Sequence, residues 1–138
     1  MKQEINAIYT AGMSFNIDVQ GYKITVDATP DSGGNNMGPT PKPLLLASLA
    51  GCTGMDVVAI LKKMQVTYDS LTINVVGDTV DEHPKKFTQI HLIYTLKGTE
   101  IDREKVEKAV NLSQDKYCGV AATLKDAVKL SYEIIIND

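Results

Sequence analysis

At 138 residues the chain is long enough for one domain with a single core, and 43% hydrophobic with 22% charged content fits an ordered globular protein rather than a disordered one. A formal net charge of -3 supplies no electrostatic attraction toward nucleic acid or acidic membranes. Two cysteines, far apart in the chain, exclude a disulfide framework, a CxxC redox pair and a zinc pattern.

The chain begins Met1-Lys2-Gln3-Glu4 and no apolar stretch of signal-peptide length follows, so a cytoplasmic location is expected. A strand is expected over Glu4 to Tyr9, with Ala11-Gly12 as its turn. Met13, Phe15, Ile17 and Val19 then alternate with polar residues, as do Tyr22, Ile24 and Val26, which predicts a hairpin turning near Gln20-Gly21. From Ala28 to Thr40 the glycines, asparagines and prolines carry turn chemistry and no periodicity, which predicts a long loop.

Pro41 to Met64, PKPLLLASLAGCTGMDVVAILKKM, reads as one long helix with Thr40 as its N-cap. Between Leu44 and Leu61 Asp56 is the sole ionisable carboxylate or amine, so the helix has no polar face to turn toward water. A chain of this size cannot wrap it on every side, which predicts a homodimer in which two such helices meet. Ala47, Gly51, Gly54 and Val58 form a small-residue strip suited to close approach by another helix. A membrane span is the competing reading; the central Asp56 and the two glycines argue against it, and no membrane partner is expected.

Strands are expected over Leu71 to Val80 and Phe87 to Leu96, joined by a turn at Asp81 to Pro84, with Ile90, Leu92, Tyr94 and Leu96 on one face. A helix starting at Thr99 or Asp102 turns Val106, Ala109, Val110 and Ser113 inward and breaks near Tyr117. A further helix is predicted from Cys118 to Lys129 and a last strand from Ser131 to Ile136. The order is β-β-β-α-β-β-α-α-β, an α+β domain with antiparallel pairings.

Five side chains attract chemical interest. Cys52 sits in the apolar helix, where a cysteine taken alone is packing filler. Cys118 opens a helix beside Lys116, and a helix N-terminus with a nearby cation favours the thiolate, so on local grounds Cys118 is the more acidic thiol. Asp56 follows Cys52 by one helical turn and needs a hydrogen-bond partner, supplied within the chain or across a dimer; as an anion it disfavours a thiolate at Cys52. His91 shares the polar face of its strand with Gln89 and Thr95, and His83 lies in a turn, so neither points to a metal and no metal or other cofactor is expected.

Gly38-Pro39-Thr40-Pro41, LLLASLAGC ending at Cys52, DVVAILKKM from Asp56 and KYCGVAATL around Cys118, set behind a β-meander, resemble the OsmC/Ohr family of thiol-dependent peroxidases over nearly the whole chain. The resemblance implies a single OsmC-like domain over residues 1–138, with antiparallel sheets around long central helices in an intertwined homodimer whose site lies at the subunit interface. It implies that Cys52 is the peroxidatic thiol and Cys118 the resolving one. The Ohr branch adds an arginine from the N-terminal half and a glutamate after the helix-leading proline. Here Arg103 is the only arginine and Lys42 follows Pro41, so the chain looks closer to a divergent OsmC-like branch.

The leading functional expectation is reduction of organic hydroperoxides through a Cys52 sulfenic acid and a Cys52–Cys118 disulfide, with an external dithiol as reductant. The rivals are a noncatalytic protein that holds a lipophilic ligand and a redox sensor that oxidises slowly and stoichiometrically.

Overall fold

The computed structural model describes residues 1–137. The elements follow the expected order, and the chain divides into two compact units, Met1–Leu45 and the part from Leu46 onward. Among the described residues the strands form two three-stranded sheets, one in each unit.

In the first unit β1 (Asn6–Ala11), β2 (Ser14–Val19) and β3 (Tyr22–Val26) make an antiparallel meander. Its second turn has positive φ at both central residues, 53° at Gln20 and 85° at Gly21, the backbone that matches the twist of a two-residue hairpin. The Asp18 carboxylate accepts the Gly21 N–H at 3.1 Å and fixes that turn. The segment that follows is more ordered than a bare loop. Asp27 is nearly buried and accepts backbone N–H groups from Ala28 (2.7 Å), Asn35 (3.1 Å) and Met37 (3.1 Å). Between them Pro30–Ser32 forms a single 3-10 turn.

The helix α1 (Pro41–Lys63) begins at the first of the two prolines and ends on Lys62 and Lys63, whose charge suits the negative pole of the helix. By length and composition α1 is also apolar enough to cross a membrane, with a mean hydropathy of 2.0 over its best window. One face, Leu49, Thr53, Val57 and Leu61, is buried in the second unit. The opposite face is open: Met55 is 77% exposed and Val58 45%.

Behind α1 stands a sheet in the order β4-β5-β6, with β4 (Ser70–Thr79), β5 (Phe87–Lys97) and β6 (Lys129–Ile136). The central strand sends Ile90, Leu92, Tyr94 and Leu96 inward, each with 0% exposure, as the alternation predicts. They meet Leu49, Val57 and Leu61 of α1 and Val106, Ala109 and Val110 of α2 (Arg103–Leu112) in one core. Asp102 caps α2 by accepting the Lys105 N–H.

Two expectations are corrected here. The pairings are not all antiparallel, because β6 runs parallel to β5 with Gln89 opposite Lys129 and Leu96 opposite Ile136. The chain returns from β5 through α2 and α3 (Gly119–Leu124), a crossover that delivers it to the starting end of β5 as no hairpin can. The helix expected to run to Lys129 stops at Leu124, whose carbonyl takes the N–H groups of both Ala127 (3.0 Å) and Val128 (2.9 Å). That tight turn releases Lys129 and Leu130 into the ladder with β5.

Candidate active site

Cys52 lies in the middle of α1, half-buried, and Asp56 one turn later presents its side chain on the same face. Cys118 arrives from the other side of the core. Between α2 and α3 the helix widens into a π-helical turn, Ser113–Tyr117, and Cys118 then takes an extended conformation as the N-cap of α3. This turn brings the second cysteine back to α1. The Cys52 sulfur, the Cys118 sulfur and an Asp56 carboxylate oxygen all lie within 4.8 Å of one another, and both cysteines are free thiols.

The fold works against the acidity expected of Cys118 from its helix-end position. Cys118 is only 2% exposed, and its thiol is pushed up to about 11. Burial is the main cause; a hydrogen bond to Cys52 and charge on Cys52 raise it further, against the lowering effect of the N–H groups of Ala121 and Val120. Lys116 does not offset this, because its ammonium sits over the Tyr117 ring, 5.3 Å from the centroid. Cys118 therefore holds its proton and can donate it toward the Cys52 sulfur.

Behind Asp56 runs a polar chain through the core that the sequence alone does not display. The Ser113 hydroxyl donates to Asp56 Oδ2 at 3.0 Å. Ser113 has one proton, so at the 2.7 Å contact with Thr53 it accepts; Thr53 in turn accepts from the Tyr94 hydroxyl at 2.7 Å. Gln114 Nε2 donates to the Tyr94 oxygen at 2.7 Å and closes the far end. Every proton in the row points toward Asp56. Tyr94 keeps its own proton because burial, above all, pushes its phenol up. Among the described residues no buried side-chain nitrogen or oxygen lacks a partner. Asp56 thus finds its hydrogen bond inside the chain. One signal for the network was in the sequence: Thr53 and Ser113 place hydroxyls on otherwise apolar inner faces, and a buried hydroxyl needs a partner.

The sequence model of the OsmC-like protein family matches residues 32–133, a stretch that includes both cysteines, Asp56 and the whole hydroxyl row. The chain belongs to the OsmC-like family. Its relatives include protein YhfA of Escherichia coli K12, 33% identical over 107 residues that cover 76% of this chain and 80% of that protein. A hypothetical protein from Aquifex aeolicus VF5 shares the fold with a TM-score of 0.83 and 29% identity, covering 100% of this chain and 99% of that one. The organic hydroperoxide resistance protein OhrB of Bacillus subtilis has the same fold with a TM-score of 0.61 at 21% identity, covering 97% and 98%.

Arg103 and His91 have structural partners in this OsmC-like chain. Arg103 pairs with Glu107 at 3.1 Å and donates to the Ile134 carbonyl at 3.0 Å, tying α2 to β6. Lys42 lies on the exposed first turn of α1. His91 faces outward on the sheet, bonded to Ser131 at 2.7 Å and Glu133 at 2.9 Å, as its place on the polar face of β5 suggests. Along the face of α1 that carries Asp56, a cavity of about 480 Å³ opens between Ala59, Ile60, Met64, Leu112 and Tyr117, with Lys63 and Lys108 among its walls.

Proposed function

We propose that this protein is a thiol-dependent peroxidase for organic hydroperoxides, with Cys52 as the peroxidatic thiol and Cys118 as the resolving one. The observation that carries the reading is the meeting of the two sulfurs within 4.8 Å, from elements far apart in the chain. To form the bond the two sulfurs must close that gap to the S–S length of about 2.05 Å. In the cycle, the Cys52 thiolate attacks the outer peroxide oxygen, the O–O bond breaks, and an alcohol leaves after taking a proton. The resulting sulfenic acid condenses with the Cys118 thiol to a disulfide and water, and an external dithiol reduces the disulfide to two thiols. The high Cys118 pKa supports this division, since the sulfur that holds its proton is the poorer first nucleophile.

The apolar walls of the cavity beside Asp56 favour a substrate with an alkyl tail over hydrogen peroxide. The unit that works is a cytoplasmic homodimer of a single OsmC-like domain, formed over the open face of α1, where Met55 and Val58 are exposed and a Cβ on Gly51 would meet nothing within 4 Å. The lack of an N-terminal arginine leaves Cys52 without the guanidinium of the Ohr branch.

The test is intact mass and free-thiol count after one equivalent of cumene hydroperoxide, in wild type, Cys52→Ser and Cys118→Ser. Wild type should lose two hydrogens and both thiols, and Cys118→Ser should accumulate a sulfenic acid at Cys52. The same cavity also favours a second reading, a carrier of a small lipophilic molecule. Two unreacted thiols after many minutes, with a lipophilic probe bound in the cavity, would give that reading first place.

A further inference from the structure

Whatever sulfur species stands on Cys52, Cys118 has to lose a proton as it attacks. Its thiol, pushed up to about 11 by burial and by Cys52, resists that loss. At pH 7 such a thiol is ionised only about once in ten thousand. A base placed beside it lets the proton leave during the attack, so that the thiol need not ionise beforehand.

The Asp56 carboxylate is in that place, with an oxygen within 4.8 Å of both sulfurs. It is held there from behind. Ser113 occupies Oδ2, and the row from Gln114 through Tyr94 and Thr53 leaves Ser113 no other use for its proton. Thr53 directly follows Cys52, so the row is rooted in the same turn of α1 as the reacting sulfur. Ser113 fills one acceptor position of the carboxylate, which has others that can receive a proton. Among the described residues, the titratable groups that share the cavity, the cluster or the hydrogen-bonded row of Asp56 are Cys52 on its own helix, Lys63 further along it, Lys108 of α2, Tyr117 of the π turn, Cys118, and Tyr94 of β5. Lys63 and Lys108 line the same cavity as Asp56.

We propose that Asp56 is the general base for Cys118: its carboxylate takes the thiol proton as Cys118 Sγ bonds to Cys52 Sγ, then delivers it to the group leaving Cys52. The proposal rests on the reading of Cys52 and Cys118 as a peroxidatic and resolving pair. In the peroxide cycle the S–O bond of the Cys52 sulfenic acid breaks. The hydroxyl departs with the bonding electrons and takes the proton from Asp56 to become water. The Cys118 sulfur is oxidised by one electron equivalent and the Cys52 sulfur reduced by one, so the carboxylate ends as it began. Apo geometry longer than a hydrogen bond is no obstacle, because catalytic contacts tighten in the reacting complex or pass through one water.

Two rapid-mixing experiments on the full-length protein test it. In the first, reduced protein meets one equivalent of cumene hydroperoxide and the decay of the sulfenic acid is followed by quenched intact mass. In the second, reduced protein meets 5,5′-dithiobis(2-nitrobenzoate) and thionitrobenzoate is counted. One thiolate is released when Cys52 reacts and a second when Cys118 expels the reagent from Cys52, with Cys118→Ser marking the first phase. Asp56→Asn keeps an oxygen for the Ser113 hydroxyl and should fold. It should slow resolution at pH 7 at least tenfold in both experiments, and the residual rate should climb tenfold per pH unit toward pH 11 while wild type stays nearly flat. Asp56→Glu should restore the flat profile.

Equal second-phase rates in wild type and Asp56→Asn would overturn the assignment. So would a slower variant whose pH profile parallels wild type, because that marks a positioning effect alone. If wild type ignores the peroxide yet its second thionitrobenzoate phase depends on Asp56, the peroxidase reading fails and the base assignment stands.

Discussion

Cys118 carries a pH signature of its own. Its folded pKa of about 11 lies above the ordinary 9.0, so the protein binds that proton more tightly when folded than when unfolded. The stabilisation is complete below pH 9 and is lost as pH rises toward 11. Reduced wild type should therefore lose unfolding midpoint across that window more steeply than Cys118→Ala, as read by denaturant titration at several pH values. Asp27 has the opposite sign. The Met37 N–H is the main cause that holds its carboxyl below 3.8, so its contribution is present above that pH and fades as pH falls through the lower folded value. Asp27→Ala should abolish the hydrogen-exchange protection of the Ala28, Asn35 and Met37 amides. In the core, Thr53→Val keeps the shape but removes the acceptor of the Tyr94 proton and the donor to the Ser113 oxygen, and should cost about 1–3 kcal/mol in denaturant unfolding. That the two cysteines meet was legible through the family motifs, but the raised pKa of Cys118 was not. Helix-end chemistry is local, whereas the burial that decides Cys118 comes from residues distant in the chain.

The apolar helix, the meander and the buried row on β5 could be read from periodicity because each is a repeating local pattern. The parallel β6 and the early end of α3 could not, since both depend on where the crossover returns the chain. The two mid-helix glycines of α1 divide in an instructive way. A Cβ on Gly54 would press the Ile73 side chain at 3.1 Å, so close approach of β4 within the same chain accounts for it. Gly51 faces open space, and nothing in the protomer offsets its helix penalty of about 1 kcal/mol. Gly51→Ala should raise the stability of an isolated protomer by about that amount, measured by denaturant titration. If a second α1 packs here, the same change should weaken dimerisation instead. On the buried face, Leu61→Ala should destabilise by about 2–5 kcal/mol, because Leu61 has 0% exposure at the centre of the core.

For the protein as a whole, the open face of α1 predicts a dimer in sedimentation equilibrium, and a charge at its centre, Met55→Glu, should shift the population toward monomer while leaving the Thr53 side of the helix intact. The expectation of a dimer came from the absence of any polar face on α1, a property of composition that no single strand or turn reveals. The hydroxyl row has a consequence for how this chain can change over generations. Gln114, Tyr94, Thr53, Ser113 and Asp56 come from α1, β5 and the π turn, and each hydroxyl both gives and receives one proton. Replacing one member strands its neighbours, so the members are strongly non-additive in mutation. Lineages that abandon Thr53 or Ser113 should therefore be found to have replaced the others as well. The five positions should be inherited as a set.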